Sequence, residues 1–328
     1  MPLSDSARAQ LQIHFCVLLW GFTAILGKLI SLDALPLVWW RMLIVVAVLA
    51  LLPRVWRRVR DMPRELVLAY AGIGVVVALH WLTFYGAIKL SNASVGATCI
   101  AFATVFTALI EPLLAHRKFS LRDLGLGLAV LPGVALAVGG VPPGMRIGIA
   151  VGAISALLVA VFGSLNKRLV SRSDAGDSLT VTAIELGAGT LALTLLAPLA
   201  AWVVPSLAGD GLALPGTRDA VLLLVLALGC TLLPFALSLV ALRHMSAFAA
   251  QLAVNLEPVY AIVLAALLLG EQRELSVQFY LGVAIILAAV LVYPWLTTRS
   301  ATSDQDLPSS LGLPGPTGSP SLPKAGGE

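Results

Sequence analysis

Ten apolar segments, each long enough to cross a lipid bilayer, follow one another along this chain. The hydrocarbon core of a bilayer is about 30 Å thick, so a helix needs roughly 20 mostly apolar residues to span it. The segments cover residues 11–30, 36–53, 66–88, 94–115, 122–141, 147–166, 178–204, 219–242, 246–270 and 275–296. They predict an all-α membrane protein with ten transmembrane helices.

The composition excludes a water-soluble domain as the fold class. Charged residues make up 12% of the 328 residues and hydrophobic residues 59%, whereas a soluble domain carries about 25% charged residues. The basic residues are scattered between the apolar segments rather than clustered on one face, so no nucleic-acid partner is expected. The predicted surroundings are the lipid bilayer.

The positions of lysine and arginine predict the orientation. With the N-terminus placed in the cytoplasm, 15 of the 21 basic residues fall on the cytoplasmic side and 4 on the opposite side. This bias follows the positive-inside rule and predicts that both termini are cytoplasmic. Arginine outnumbers lysine, and alanine, leucine and glycine are abundant, which favours the inner membrane of a bacterial cell.

The two halves of the chain resemble each other. The stretch GAIKLSNASVGA at 86–97 aligns with VALRHMSAFAAQ at 240–251, and FSLRDLGLG at 119–127 aligns with LSVQFYLGV at 275–283. Each half holds five spans, and this odd number makes the second half enter the membrane from the opposite side. Such inverted repeats are a recurrent plan of secondary transporters.

The repeat also predicts the domain organisation. The predicted parts are a cytoplasmic N-terminus at 1–10, a first five-helix repeat at 11–141, a second at 147–296 and a disordered cytoplasmic tail at 297–328. The tail is rich in serine, proline and glycine and has too little apolar surface to fold.

Several short motifs resemble those of one transporter family. They are Trp20-Gly21 in the first span, Arg41 in the second, and NLEPVYAIVLAALLLGE at 255–271. Together they resemble the EamA-domain members of the drug/metabolite transporter superfamily over about residues 10–297. The resemblance implies two five-helix repeats and transport of small metabolites. The first repeat lacks the Gly-Glu ending, so it stays open whether Glu111 and Glu257 have equivalent roles.

Polar residues in the ninth span are candidates for a binding site, because ionisable groups inside a membrane are costly and often functional. Glu257 precedes Pro258 in the middle of this span. It could bind a substrate amine or a proton, or it could be a hydrogen-bond partner beside a helix kink. Gln251 and Asn255 share one face of the helix and could line the path or bridge two helices.

The third span contributes an aromatic cluster around a histidine. The run HWLTFY contains His80, Trp81 and Tyr85. Aromatic rings beside a titratable group could hold a planar or amine-bearing solute. The alternative is a packed aromatic seam with a hydrogen-bonded histidine.

Four further side chains are open to a functional and a structural interpretation. Glu185 in the seventh span could bind a ligand or pair with a cytoplasmic arginine. Arg41 and Lys28, near the outer ends of their spans, could gate the path or extend to the interface. Trp20 could line a cavity or pack against neighbouring helices.

A glycine stripe bears on assembly. Gly144, Gly148 and Gly152 are spaced for close helix contact, either within the chain or in a homodimer.

The sequence contains no motif for ATP hydrolysis or for a metal. A GxxxxGK[ST] loop, a zinc motif and a catalytic triad are missing, and the three cysteines lie in apolar segments, where cysteine behaves as a hydrophobic residue. No catalytic residue, metal site or cofactor is therefore predicted.

Three functions are compatible with these features. The first is a secondary transporter, most simply an exporter, of small metabolites such as amino acids, working by alternating access. Protonation of Glu257 or His80 could couple to substrate movement, and a facilitator without coupling is equally compatible. The second is a proton-coupled efflux pump for cationic drugs. The third, a membrane-embedded enzyme, is disfavoured by the short loops.

Overall fold

The computed structural model describes residues 4–115, 118–172, 174–209 and 211–289, and these contain helices and no strand. The helices are α1 (Asp5–Leu29), α2 (Ala34–Ala50), α3 (Pro53–Asp61), α4 (Arg64–Leu90), α5 (Ala93–Cys99), α6 (Phe102–Leu114), α7 (Leu121–Gly139), α8 (Arg146–Val170), α9 (Ser178–Val203), α10 (Pro205–Ala208), α11 (Thr217–Leu224), α12 (Leu233–Ala241), α13 (Ala247–Val254), α14 (Glu257–Leu269) and α15 (Val277–Ala289). A wide π-helical segment, Val225–Leu232, joins α11 to α12. The all-helical prediction is confirmed.

Eight helical stretches in the described ranges are long and apolar enough to cross a membrane. A ninth is the pair α2 and α3, which passes the same test but bends by 92° between its two helices. The last apolar segment is a shorter helix, α15, within the described residues. The chain is therefore a multi-pass membrane protein, and the count of ten spans stays a prediction. The predicted tail at 297–328 lies outside the described residues.

Helix α3 follows the bend with an arginine-rich sequence. Pro53 stands at its first position, where a proline suits a helix start because the missing N–H has no partner there. Val55 is buried, whereas Arg54 and Trp56 are exposed. The cationic face of α3 marks one end of the bundle, called here the arginine-rich end.

The fourth and ninth apolar segments are each broken into two helices. The fourth consists of α5 and α6, and the ninth of α13 and α14. Both begin with a side-chain cap, since the Asn92 oxygen accepts from the Val95 N–H at 2.9 Å and the Ser246 hydroxyl accepts from the Ala249 N–H at 3.0 Å. These caps satisfy N–H groups that have no partner within the helix.

A buried carboxylate from the other half of the chain completes each of these caps. Glu271 accepts from the Ala93 and Ser94 N–H groups at 3.0 Å each. Glu111 accepts from the Ala247 and Phe248 N–H groups at 2.9 and 2.7 Å. A carboxylate at a helix N-terminus is stabilised by the exposed N–H groups and by the helix dipole.

The two caps are equivalent positions of the repeat. The alignment of 86–97 with 240–251 matches the residues that Glu271 caps to the residues that Glu111 caps. Each half therefore holds the start of the other half's broken helix. Glu111 is the structural counterpart of Glu271, and its role differs from that of Glu257.

Replacing Glu271 with glutamine is expected to lower the free energy of unfolding by about 1–3 kcal/mol, because two buried N–H groups lose a charged acceptor. The measurement is unfolding of the purified protein in detergent. Glu65→Gln is the control, since Glu65 is exposed at the start of α4. Equal stability of the two variants would contradict the capping role.

Helices α4 and α9 meet at a glycine contact between the two halves. A Cβ atom on Gly74 would overlap the backbone of Glu185, and one on Gly189 would lie 2.8 Å from the Gly74 carbonyl oxygen. Small residues allow membrane helices to approach this closely. The contact fixes α4, which carries His80 and Trp81, against the second half of the chain.

The predicted glycine stripe at the start of α8 packs within the chain. Cβ atoms on Gly148 and Gly152 would meet Ser91 and Cys99, respectively, whereas the position of Gly144 is open. Two of the three glycines therefore serve the contact of α8 with α4 and α5, and a homodimer stays a prediction without support from this stripe.

Candidate substrate-binding site

A cavity of about 120 Å³ lies between helices of both halves. An engineered cavity of roughly 150 Å³ holds a benzene ring, so the space suits a small organic group. The aromatic residues that line it are Trp20, Trp81, Phe84, Phe162 and Phe235. The polar residues that line it are Thr23, Arg41, His80, Thr107, Ser238, Gln251 and Glu257.

Arg41 is buried beside this cavity, with 2% of its surface exposed. Its Nη1 atom donates to the Tyr85 hydroxyl at 2.8 Å, and its Nε atom donates to the Thr231 hydroxyl. The guanidinium carbon lies 3.9 Å from the centre of the Trp81 ring, a favourable cation–π distance. The prediction that Arg41 could extend to the membrane interface is wrong, because its hydrogen-bond partners lie inside the bundle.

The wide segment before α12 positions Thr231 for this contact. The Thr231 hydroxyl donates to the Leu226 carbonyl oxygen, five residues earlier, at 2.7 Å. Pro234 follows and has no N–H to donate, which disturbs the regular helix around it. Because its proton is used in this hydrogen bond, the Thr231 hydroxyl has an oxygen lone pair available to accept a hydrogen bond from Arg41.

His80 is fixed to α8 rather than free in the cavity. Its Nδ1 atom lies 2.9 Å from both the carbonyl oxygen and the hydroxyl of Ser155. The ring also packs against Phe162 and Phe84, with centroid distances of 5.3 and 6.1 Å. His80 therefore forms a wall of the cavity whose orientation Ser155 determines.

Glu257 lies at the start of α14, directly after the break in the ninth segment. Its side chain lines the cavity and is 6% exposed. No hydrogen bond or ion pair to its carboxyl group is found among the described residues, and Arg41 on the same cavity is not within ion-pair distance. The cavity thus holds a guanidinium and a carboxyl group that do not neutralise each other by contact.

Gln251 adds a third polar group whose hydrogen-bonding capacity is not fully used by the described residues. It lines the cavity from α13, and its buried Nε2 atom has no hydrogen-bond partner within the described part of the chain. A buried amide N–H₂ group without a protein partner, on a residue that lines a cavity, has donors left for a ligand.

Three predicted site residues do not line the cavity. Tyr85 lies behind Arg41 and orients it. The Asn255 amide donates to the Thr104 hydroxyl at 2.6 Å and joins the two broken segments. Glu185 is fully buried between helices near Asn166. The predicted residues that do line it are Trp20, Arg41, His80, Trp81, Gln251 and Glu257.

Four residues that shape the site are among those that the sequence interpretation missed. Phe162 and Phe235 contribute rings, and Ser155 and Thr231 orient His80 and Arg41. The repeat held a signal for one of them, since Phe235 aligns with Trp81. Their rings contact each other, with centroids 5.8 Å apart.

Comparison with solved structures finds the same fold elsewhere. One crystal structure, described only as that of a protein, superimposes with a TM-score of 0.63 at 16% sequence identity, covering 90% of this chain and 98% of the other. No curated protein matches the chain in sequence.

Comparison with protein families gives a match over nearly the whole chain. The model of the EamA-like transporter family matches twice, at residues 8–139 and 146–294. The two matches cover both halves of the repeat, the first from within α1 to the end of α7 and the second from the start of α8 through α15. The chain therefore belongs to the EamA-like transporter family, whose members carry small molecules across membranes.

Proposed function

We propose that the protein is a secondary transporter that exports small zwitterionic metabolites, and that amino acids with apolar side chains fit its site best. The observation that carries this proposal is the joint presence of Arg41 and Glu257 on one cavity with aromatic walls. The proposed setting is a bacterial inner membrane, with ten spans and the arginine-rich end in the cytoplasm.

Arg41 is suited to bind a substrate carboxylate. A guanidinium group has five N–H donors, and two of them are used by Tyr85 and Thr231. The remaining donors have no partner among the described residues and match the geometry of a carboxylate. A substrate anion would also neutralise a buried cation that is costly inside a membrane.

Glu257 is suited to bind the substrate ammonium group. Its side chain lines the cavity, and no cation among the described residues lies within ion-pair distance of its carboxyl group. The aromatic side chain of Trp20, which lines the same cavity, can add a cation–π contact to this group. The apolar remainder of the wall then favours an apolar side chain on the substrate.

The presence of Arg41 argues against the cationic drug pump. A cationic drug would enter a small, poorly hydrated cavity that already holds a guanidinium group, and like charges at such distances repel strongly. A zwitterion brings a compensating charge for each of the two side chains. The cationic drug function is therefore the second candidate.

The symmetry of the fold supports alternating access as the mechanism. Helices of both halves line the cavity, and inverted halves can rock around a shared site. The Glu111 cap lies toward one end of the bundle and the Glu271 cap toward the other. Each cap is therefore suited to keep its own end closed while the opposite end is open. Opening one end would release its carboxylate while the other stays in place.

A matched series of solutes tests the substrate class. The protein in liposomes is loaded with labelled leucine, and efflux is measured against external leucine, 3-methylbutylamine or 4-methylpentanoate. Leucine is expected to exchange at least tenfold faster than either analogue, because each analogue leaves one buried charge without a partner. Equal exchange of the amine and of leucine would favour the cationic drug pump instead.

The variant Glu257→Gln tests the role of the carboxyl group. Leucine exchange is expected to fall at least tenfold, whereas exchange of 4-methylpentanoate, which has no ammonium group, is expected to stay within about twofold. Glu65→Gln, an exposed residue at the start of α4, is the control. The same variants in cells show whether the amino acid accumulates outside, which tests the direction of transport.

A further inference from the structure

A second buried polar pair lies outside the substrate cavity. Glu185 on α9 is fully buried, and the Asn166 amide on α8 donates to its Oε2 atom at 3.4 Å. The Oε1 atom of Glu185 and the Oδ1 atom of Asn166 are buried and have no hydrogen-bond partner in the described part of the chain. Two buried acceptors that lack a donor among the described residues are a costly arrangement in a membrane protein.

No cation in the described part of the chain pairs with these two oxygen atoms. From α4, the Tyr70 hydroxyl donates to the Ala175 carbonyl oxygen at 3.0 Å rather than to Glu185. From α3, Arg54 pairs with Asp177, near the start of α9, at 3.8 Å. From α2, Arg41 turns into the substrate cavity. Helices α10 and α12 carry no titratable residue, and among the described residues no ion pair to Glu185 is found.

A proton satisfies both orphan oxygens at once. Protonated, the Glu185 carboxyl group becomes a donor as well as an acceptor, so it can exchange two hydrogen bonds with the Asn166 amide instead of one. A metal ion fits less well, since Ca²⁺, for example, takes six to eight oxygen ligands. The chemistry of the pair therefore favours a proton as the ligand.

The pair lies where the two halves of the chain touch. The Glu185 backbone packs directly on Gly74 of α4. Six residues further along α4, His80 begins the stretch that forms one wall of the substrate cavity. When Glu185 loses or gains a proton, the free energy of burying the contact between α9 and α4 changes. The change in charge therefore shifts the preferred position of α4.

We propose that Glu185 and Asn166 form a proton-binding site, separate from the substrate cavity, that couples solute movement to the proton gradient. This proposal rests on the proposed transport function and assigns its coupling ion. Exchange of a proton at Glu185 shifts the contact between α4 and α9 and thereby the access to the cavity.

The transport test separates coupling from solute binding. Liposomes with the wild-type protein are used in two assays. In the first, a pH gradient is imposed across the membrane and the accumulation of leucine is measured. In the second, no gradient is imposed, and labelled leucine on one side exchanges with unlabelled leucine on the other. The pH gradient is expected to drive leucine accumulation in the wild type and at least tenfold less in Glu185→Gln. Leucine exchange without a gradient is expected to persist in both. Accumulation that persists in Glu185→Gln, or that follows a sodium gradient instead, overturns the proposal.

A spectroscopic test of the proton site does not depend on transport activity. The infrared band of protonated carboxyl groups is followed as the purified protein is titrated, comparing wild type, Glu185→Gln and the exposed control Glu65→Gln. A titrating carboxyl band that is lost in Glu185→Gln and retained in Glu65→Gln supports the site, and the absence of such a band from the wild type overturns it. If the wild type exchanges no leucine, the proposed transport function fails, and this titration still decides whether the proton site exists.

Discussion

Replacing Arg41 with glutamine is expected to reduce leucine exchange by about a hundredfold. The change removes the charge-assisted hydrogen bonds to the substrate carboxylate, and a hydrogen bond to a charged group contributes about 1.5–3 kcal/mol. It also leaves the Tyr85 and Thr231 hydroxyl groups without their shared donor. The measurement is exchange in liposomes at matched protein amounts.

Lysine at the same position distinguishes charge from geometry. Arg41→Lys keeps a cation but cannot bind Tyr85, Thr231 and a substrate with one planar group. Its exchange rate is expected to lie between those of the wild type and Arg41→Gln. Arg172→Gln is the control, because Arg172 is exposed and binds Asp174, whose pKa the neighbouring guanidinium lowers. Full activity of Arg41→Gln would contradict the proposal that Arg41 binds the substrate carboxylate.

Replacing Gly74 with valine is expected to prevent the two halves from packing. The new side chain would overlap backbone atoms of Glu185, which cannot move aside as a side chain could. Overpacking a core costs about 1–3 kcal/mol where side chains can adjust, and a backbone clash is at the upper end or beyond. The variant is expected to accumulate poorly and to aggregate in detergent.

The same helix supplies a matched control for this prediction. Gly72, two residues earlier, is exposed, and a Cβ atom there meets nothing within 4 Å. Gly72→Val is therefore expected to match the wild type in abundance and in size-exclusion profile. If Gly74→Val were as abundant and monodisperse as Gly72→Val, the tight contact between α4 and α9 would be refuted.

The sequence was informative about helices because each helix in a membrane satisfies its own backbone hydrogen bonds. Length and apolarity therefore sufficed to place most helices, as for the segment at 66–88, which became α4 at Arg64–Leu90. The 92° bend after Ala50 did not follow from hydropathy. It follows the change from an apolar to an arginine-rich sequence at Pro53.

The candidate site was only partly predictable, because it depends on how helices are rotated and where their ends meet. Glu185 and Glu257 both read as carboxyl groups inside spans, yet Glu257 faces the cavity and Glu185 faces Asn166. Thr231 gave no signal, since a hydroxyl group in an apolar segment commonly bonds to its own helix.

The sequence by itself determined the all-helical membrane fold, the doubled organisation and the membership of the transporter family. These properties depend on local apolarity and on the repeat of short motifs, and both can be recognised without knowing which residues are in contact. Only the tertiary structure decided that Arg41 and Glu257 share one cavity, that Glu111 is the partner of Glu271, and that Glu185 forms a separate pair. The reason is physical: a buried charge acquires its role from the groups that surround it, and those groups come from distant parts of the chain.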